Sequence, residues 1–369
     1  MERQPQEILK DLQENNITVY SFSRLETINN CLYEAYRTYI LDDRANQIPN
    51  CYSLLGGKIH DVLEQIMNNK ASESDLLPAM NQELEDMNML GIEFPKGKDG
   101  ADTIRQGWID DMTHFCKTYK APKGKFETET FFLYETPKHN YIQGYIDLTR
   151  IRKDGSIDIY DYKTSTMYRG EDIKRHGRQL VLYALGKEQQ GYKVRNIGWI
   201  FLKYCEVTYM GKKTSRSKEE TEITKIIERK NLFKDLKSVI EEKLYKMGFN
   251  ELDVDVITFF AQKNNEIPKQ LIDSFNIKPC VIKYELSEET RQECDNYIDD
   301  TIQRWESLNA DNEIEFIPKS FTKMTKAGKE VMDAFYDTNL CGYAKSCPHL
   351  QKFLDTWQKE DDDNDSGLF

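Results

Sequence analysis

The sequence predicts an α/β fold with a mixed central sheet flanked by helices, because its hydrophobic period changes along the 369 residues. Helical spacing dominates up to about residue 120. From Phe126, three segments alternate or run in β-branched and aromatic residues, "FETETFFLYE", "YIQGYIDLTRI" and "SIDIYDYKTS", separated by short turns as neighbouring strands are. A helical pattern over about 171–186 and another strand, "NIGWIFLKYCEV", follow. The order helix, three strands, helix, strand points to a sheet core rather than a bundle.

Each element has a local reason. "YSFSRLETINNCLYEAYRTYI" reads as one capped helix: Ser23 and Glu26 have capping-box spacing, and Leu25, Ile28, Leu32, Ala35 and Tyr39 share a face. In "SLLGGKIHDVLEQIMNN" the stripe is Leu55, Ile59, Val62, Leu63 and Ile66, and Gly56-Gly57 lets the helix start approach another backbone. Residues 70–120 read as polar helices joined through "FPKGKDG", residues 210–248 as a loop and a long helix, and 286–308 as an amphipathic helix with Trp305. The expected organisation is one domain over 20–359, with core motifs over 20–205, a helical or irregular addition over about 210–335 and a cysteine segment over 336–359. Residues 1–19 form an N-terminal extension, and 360–369 a disordered acidic tail.

Composition narrows the function classes. With 39% hydrophobic and 31% charged residues the chain is an ordinary soluble globular protein. No stretch matches a signal peptide or the roughly 18 apolar residues of a membrane span, so neither secretion nor a membrane partner is expected. Eight cysteines are scattered without the spacing of a disulfide framework and read mostly as reduced, buried thiols. A net charge of −12 argues against nonspecific wrapping of nucleic acid. It leaves room for a local basic channel and suits a carboxylate-rich cation site.

Chemistry concentrates around Asp161 and Lys163. On a strand, residues i and i+2 share a face, so the two project together while Tyr160 and Tyr162 point the other way. Alone, such a pair is also what a solvated strand face carries. Asp147 lies on the preceding strand between Ile146 and Leu148, where a carboxylate is expensive unless it binds something. His60 stands on the Gly-Gly helix, and Gln179 and Tyr183, four apart, share a face of the helix after the strand. Each has a structural reading too: a turn cap, a satisfied core histidine, packing residues.

Taken in order, "SFSRLETINNCLYEAY", "GGKIHDVLE", "GYIDLTRI…DGSIDIYDYKTS" and "RQLVLYALG" resemble the successive motifs of the PD-(D/E)XK nuclease superfamily, in its RecB-like branch. The resemblance covers about residues 20–205 and implies a restriction-endonuclease-like sheet and hydrolysis of DNA phosphodiester bonds. It implies that Asp147 and Asp161 are the two acids, Lys163 the motif lysine, His60 the metal-binding histidine, and Gln179 and Tyr183 the Gln-x-x-x-Tyr pair. Mg²⁺ or Mn²⁺ is the implied cofactor, with the Tyr162 carbonyl a further ligand. Glu127 or Glu129 would complete a second metal site, unless both are merely exposed strand residues.

An exonuclease in recombination, repair or phage DNA processing is the favoured version, in the cytoplasm of a bacterial or phage-infected cell. An endonuclease on the same core and a noncatalytic DNA-binding or assembly protein are the alternatives. No Gly-x-x-x-x-Gly-Lys-[Ser/Thr] occurs, so unwinding would need a partner, a helicase or a single-strand annealing or recombination protein. Arg169, Lys174, Arg175, His176 and Arg178, then Lys203, Lys212, Lys213 and Arg216, are candidates to line a phosphate track. Many RecB-like nucleases hold an iron–sulfur cluster on four cysteines. Cys31, Cys341 and Cys347 match three of those positions, but Thr338 stands at the fourth. A [4Fe-4S] cluster, a Zn²⁺ site completed by His349, or simple packing are the three readings of this set.

Overall fold

The computed structural model describes residues 5–97, 100–212 and 219–365. Helix α1 (Pro5–Glu14) leads into β1 (Val19–Ser21), α2 (Phe22–Asn30) and α3 (Leu32–Tyr39). α1 lies against β1 and the second strand, so the segment expected as an extension joins the fold. The cap is not the Ser23–Glu26 box. Ser21, in extended conformation, takes the N-cap and its Oγ accepts from the Arg24 N–H at 3.2 Å. Ser23 is then inside the first turn, and Glu26 instead pairs with Arg175 at 3.2 Å. The single helix expected over this stretch is broken at Cys31, whose φ of −150° is extended.

Helices α4 (Cys51–Met67), α5 (Leu76–Met89) and α6 (Thr103–Thr118) form the next layer. Gly56 in α4 approaches a side chain, Thr164, rather than a backbone. The sheet then runs through β2 (Lys125–Glu135), β3 (Tyr141–Ile151) and β4 (Ile157–Lys163), crosses over by α7 (Glu171–Gln189), and returns as β5 (Val194–Gly211). The segment 210–248, read as a loop and one long helix, holds β6 (Thr221–Glu228) as well as α8 (Leu232–Lys246), and the rest of the addition expected over about 210–335 brings α9 (Glu251–Asn264) and β7 (Phe275–Tyr284). Both strands join the central sheet, antiparallel to β5, so this part is not a helical or irregular appendage. Their alternation was weak because only Ile227 in β6, and only Phe275 and Cys280 in β7, are buried. The chain closes with α10 (Glu288–Glu306), the hairpin β8 (Thr322–Met324) and β9 (Glu330–Met332), α11 (Phe335–Asn339) and α12 (Pro348–Asp365). The acidic tail expected to be disordered from 360 continues α12 to Asp365, and 366–369 lie outside the described residues.

The order of pairing creates the site. β2 lines one edge of β3 throughout. On the other edge β1 pairs in parallel with Tyr141–Gln143 and β4 pairs antiparallel with Leu148–Ile151. Residues 144–147 are thereby left without a strand on that edge, and β4 leaves β3 after Tyr160 while staying parallel to β5 as far as Lys163. One face of the sheet is covered by α2, α3, α7 and α10 around Phe132, Ile159 and Trp199. The opposite face is covered by α4, α5 and α6 around Leu148, Tyr162 and Leu202. A third cluster joins the far ends of β5, β6 and β7 to α8 and α9. Among the described residues no helix is long and apolar enough to cross a membrane.

Candidate active site

Asp147 occupies an irregular point of β3. Ile146 packs into the α7-side core and Leu148 into the α4-side core, so the two-residue alternation slips at Asp147. On the neighbouring strand, Glu129 falls between the pairs Thr128↔Leu148 and Thr130↔Ile146 and has a left-handed φ of 47°. A glutamate in that region of backbone space is strained, and such strain concentrates at functional positions.

Because β4 has left β3 here, the Tyr162 N–H has no strand carbonyl and donates to Asp147 Oδ2 at 2.8 Å. The N–H and C=O of one strand residue point to the same side, so the Tyr162 carbonyl also faces the gap. His60 meets it there, with the Tyr162 backbone acting on its imidazole and Nδ1 3.5 Å from Asp147 Oδ2. The Tyr162 ring goes the other way, into the α4-side core.

Asp161, only 2% exposed, closes a ring of four side chains with Lys163, Gln179 and Tyr183. Lys163 Nζ stands 2.6 Å from Asp161 Oδ2 and donates to Gln179 Oε1 at 3.1 Å. Gln179 Nε2 donates to the Tyr183 hydroxyl at 2.8 Å, which in turn donates to Asp161 Oδ1 at 3.5 Å. The i, i+4 spacing on α7 aims both residues at the strand pair.

Burial dominates the electrostatics. It pushes the Asp147 carboxyl well above the usual carboxylate range, and the charge of Asp161 adds to this. It holds His60 below the usual imidazole range, although the Asp161 charge opposes that. For Lys163 burial favours the neutral amine, but Asp161, Tyr168 and Asp147 together outweigh it and the pKa rises. Burial, then Asp161, keeps Tyr183 a phenol.

Two residues were not singled out from the sequence. Asp61 and Glu64 on α4 act with Asp161 on the Glu129 carboxyl, which burial already raises. The signal that could have found Glu64 is its position four residues after His60, on the same helix face. Glu127, the other strand acid considered, lies instead within the field of Lys187.

Five carboxylates, Asp147, Asp161, Glu129, Asp61 and Glu64, thus act on one cluster whose central cation is Lys163. Asp161 Oδ2 is buried with no aligned hydrogen bond beyond the ammonium contact. Two acids, one carbonyl and one imidazole suit a hard or borderline divalent cation such as Mg²⁺ or Mn²⁺. Among the described residues no three His, Cys, Asp or Glu side chains stand in metal-holding spacing; the donors here face one another in hydrogen-bond and ion-pair contacts.

The expected basic track is largely occupied. Arg175 pairs with Glu26, Arg178 with Glu293 at 2.8 Å and Lys174 with Glu293 at 3.7 Å, while His176 stacks on Tyr168. Lys203 is buried beside Asp111 at 3.5 Å. Arg169 and Lys212 are exposed, and Lys213 and Arg216 lie outside the described residues. In the cysteine corner, Cys31 is within the electrostatic reach of both Cys341 and Cys347. They do not form a metal-holding group among the described residues. Burial pushes the Cys31 thiol up to about 12 and raises the other two. His349 packs edge-on against Tyr33 at 4.8 Å. All eight cysteines are free thiols.

A comparison with protein families matches the model described as PD-(D/E)XK nuclease superfamily over residues 19–348. No curated protein matches the chain.

Proposed function

Because the chain belongs to the PD-(D/E)XK nuclease superfamily, we propose that it is a Mg²⁺- or Mn²⁺-dependent deoxyribonuclease of the RecB-like type. It acts as an exonuclease on DNA ends in recombination, repair or phage DNA processing. The observation that carries this reading is the closed ring of Asp161, Lys163, Gln179 and Tyr183 beside Asp147, in a gap of the sheet.

Asp147, Asp161, the Tyr162 carbonyl and His60 would hold the cation, which supplies positive charge to polarise a phosphoryl oxygen and to acidify water. Lys163, fixed by Asp161 and Gln179, presents its ammonium to the charge that grows on the phosphate as water adds and the bridging P–O bond breaks. Gln179 holds that ammonium, and the Tyr183 phenol holds the Asp161 carboxylate, so both charges are oriented before substrate arrives. No nucleotide-binding loop is present in the sequence, so duplex opening falls to a partner, a helicase or an annealing protein.

The test is incubation with end-labelled linear DNA and with covalently closed circles, each with Mg²⁺, Mn²⁺ or a chelator. Metal-dependent loss of linear DNA with intact circles is expected. Cleaved circles would replace the exonuclease reading with an endonuclease, and inertness toward every DNA would overturn the nuclease reading itself.

A further inference from the structure

A cavity of about 740 Å³ opens on the α4-side face of the sheet, where α6 and strands β3, β4, β5 and β7 surround it. It is separate from the proposed active site. The Tyr162 ring lines it, whereas Asp147, Asp161, Lys163 and His60 do not. Aromatic side chains dominate its depth, with Phe115, Tyr119, Tyr162 and Phe275 all buried. Ile272, Ile277 and Val281 are exposed and mark its mouth. Such a size and such a lining, mostly apolar with a few polar groups, are those of a small-molecule site.

One charge in this lining has no counter-charge. Arg229, directly after β6, is only 6% exposed. Its Nε donates to the Leu202 carbonyl at 2.8 Å, and its Nη1 to Thr118 Oγ1 at 3.0 Å and His114 Nδ1 at 3.3 Å. Among the described residues Nη2 has no hydrogen-bond partner, and no carboxylate stands within ion-pair distance of the guanidinium. The nearby acids are already taken. Buried Asp111 stands 3.5 Å from both Lys203 and Lys230, and Glu228 stands 2.9 Å from Lys230. Two carboxylates thus meet two ammoniums, and Arg229 is the surplus. Burial works against its charge, and a buried cation ordinarily has an anion beside it. The buried Tyr119 hydroxyl, in the same lining, makes no aligned hydrogen bond either. Around the rest of the cavity Arg150, Lys269 and Lys278 outnumber Glu266, in a chain whose net charge is −12.

We propose that this cavity binds a small organic anion, an aromatic body with one carboxylate or phosphate head, the head on Arg229 Nη2 and the rings among Phe115, Tyr119, Tyr162 and Phe275. A neutral apolar ligand would bury the guanidinium further without compensating it.

Anilinonaphthalene sulfonate, an aromatic body with one anionic head, is the probe. Its fluorescence should rise saturably on the folded full chain, with one probe bound per chain. Naphthoate and naphthyl phosphate should displace it, and the stronger of the two identifies the head. Naphthol, with no charge, should compete at least about tenfold more weakly. Arg229→Gln should weaken probe binding about tenfold. Ile277→Trp with Val281→Trp, at exposed positions, should crowd the mouth and abolish binding with an unchanged melting curve, which keeps the test decisive where Arg229→Gln fails to fold. Absence of saturable binding overturns the proposal. So do naphthol competing as well as naphthoate, a folded Arg229→Gln chain binding as wild type, and binding untouched by the tryptophan pair. The readout is binding, so the outcome is independent of whether the chain cleaves DNA.

Discussion

Tyr183 touches the proposed chemistry only through Asp161 and Gln179, and Tyr183→Phe removes one hydroxyl from a closed ring. Leaving a buried amide donor unpaired costs about 1 kcal/mol, and loosening Asp161 should slow single-turnover hydrolysis about tenfold. Urea unfolding and rapid-quench kinetics measure the two effects separately. Glu129 predicts the opposite trade. Its φ of 47° and its acidic neighbours both work against the fold, so Glu129→Gly should stabilise by about 1 kcal/mol while weakening any dependence of hydrolysis on Mg²⁺ or Mn²⁺. A variant no more stable than wild type in urea would reject the strain. That Asp161 and Lys163 stand side by side, and Gln179 and Tyr183 likewise, was legible because strand and helix periods fix which side chains share a face, whereas the period gives no such guide at Asp147, where the alternation slips. Glu129 was only half legible, since nothing in "FETETFF" announces a left-handed residue.

Among elements, α7 is held unusually close to the sheet. A Cβ on Gly177 would fall inside the contact shell of the Tyr284 ring, and one on Gly186 inside that of Phe132. In an exposed helix Gly→Ala stabilises by about 1 kcal/mol. Here overpacking at about 1–3 kcal/mol outweighs that gain, so Gly177→Ala should lower the melting temperature, and an unchanged or higher value would show that β7 yields freely. The same closeness delivers Gln179 and Tyr183 to Asp161. α7 was readable from its apolar stripe and β2, β3 and β4 from β-branched and aromatic runs bounded by short turns, whereas β1 went unread inside a segment expected to be helical. β6 and β7 went unread too, because they bury one and two side chains respectively, and the helix break at Cys31 has no Gly or Pro to signal it.

At the level of the whole molecule, two histidines report on acid stability. Burial holds His114 and His176 neutral down to about 4, and His114 Nδ1 accepts from Arg229 at 3.3 Å, a role that protonation would abolish. Their folded pKa values lie below the unfolded value of about 6.5. The unfolded chain therefore binds more protons, and their contribution, fully present above pH ~6.5, is lost as pH falls toward about 4. Relative to a His114→Gln/His176→Gln variant, the wild type should lose stability over this window by up to about 3 kcal/mol per pH unit, about 1.4 for each histidine. Parallel denaturation curves would refute it. The sheet order, with β7 returning beside β5, depends on contacts far apart in sequence, and that is why local periodicity could predict an α/β core but not its full width.

The central claim is that the gap between β3 and β4 is where DNA phosphodiesters are hydrolysed. Single-turnover degradation of end-labelled linear DNA by Asp147→Asn and Asp161→Asn, each verified as folded by circular dichroism, tests it most directly. Rates at least about 100-fold below wild type with Mg²⁺ or Mn²⁺ are expected. Wild-type rates in both folded variants would contradict the account.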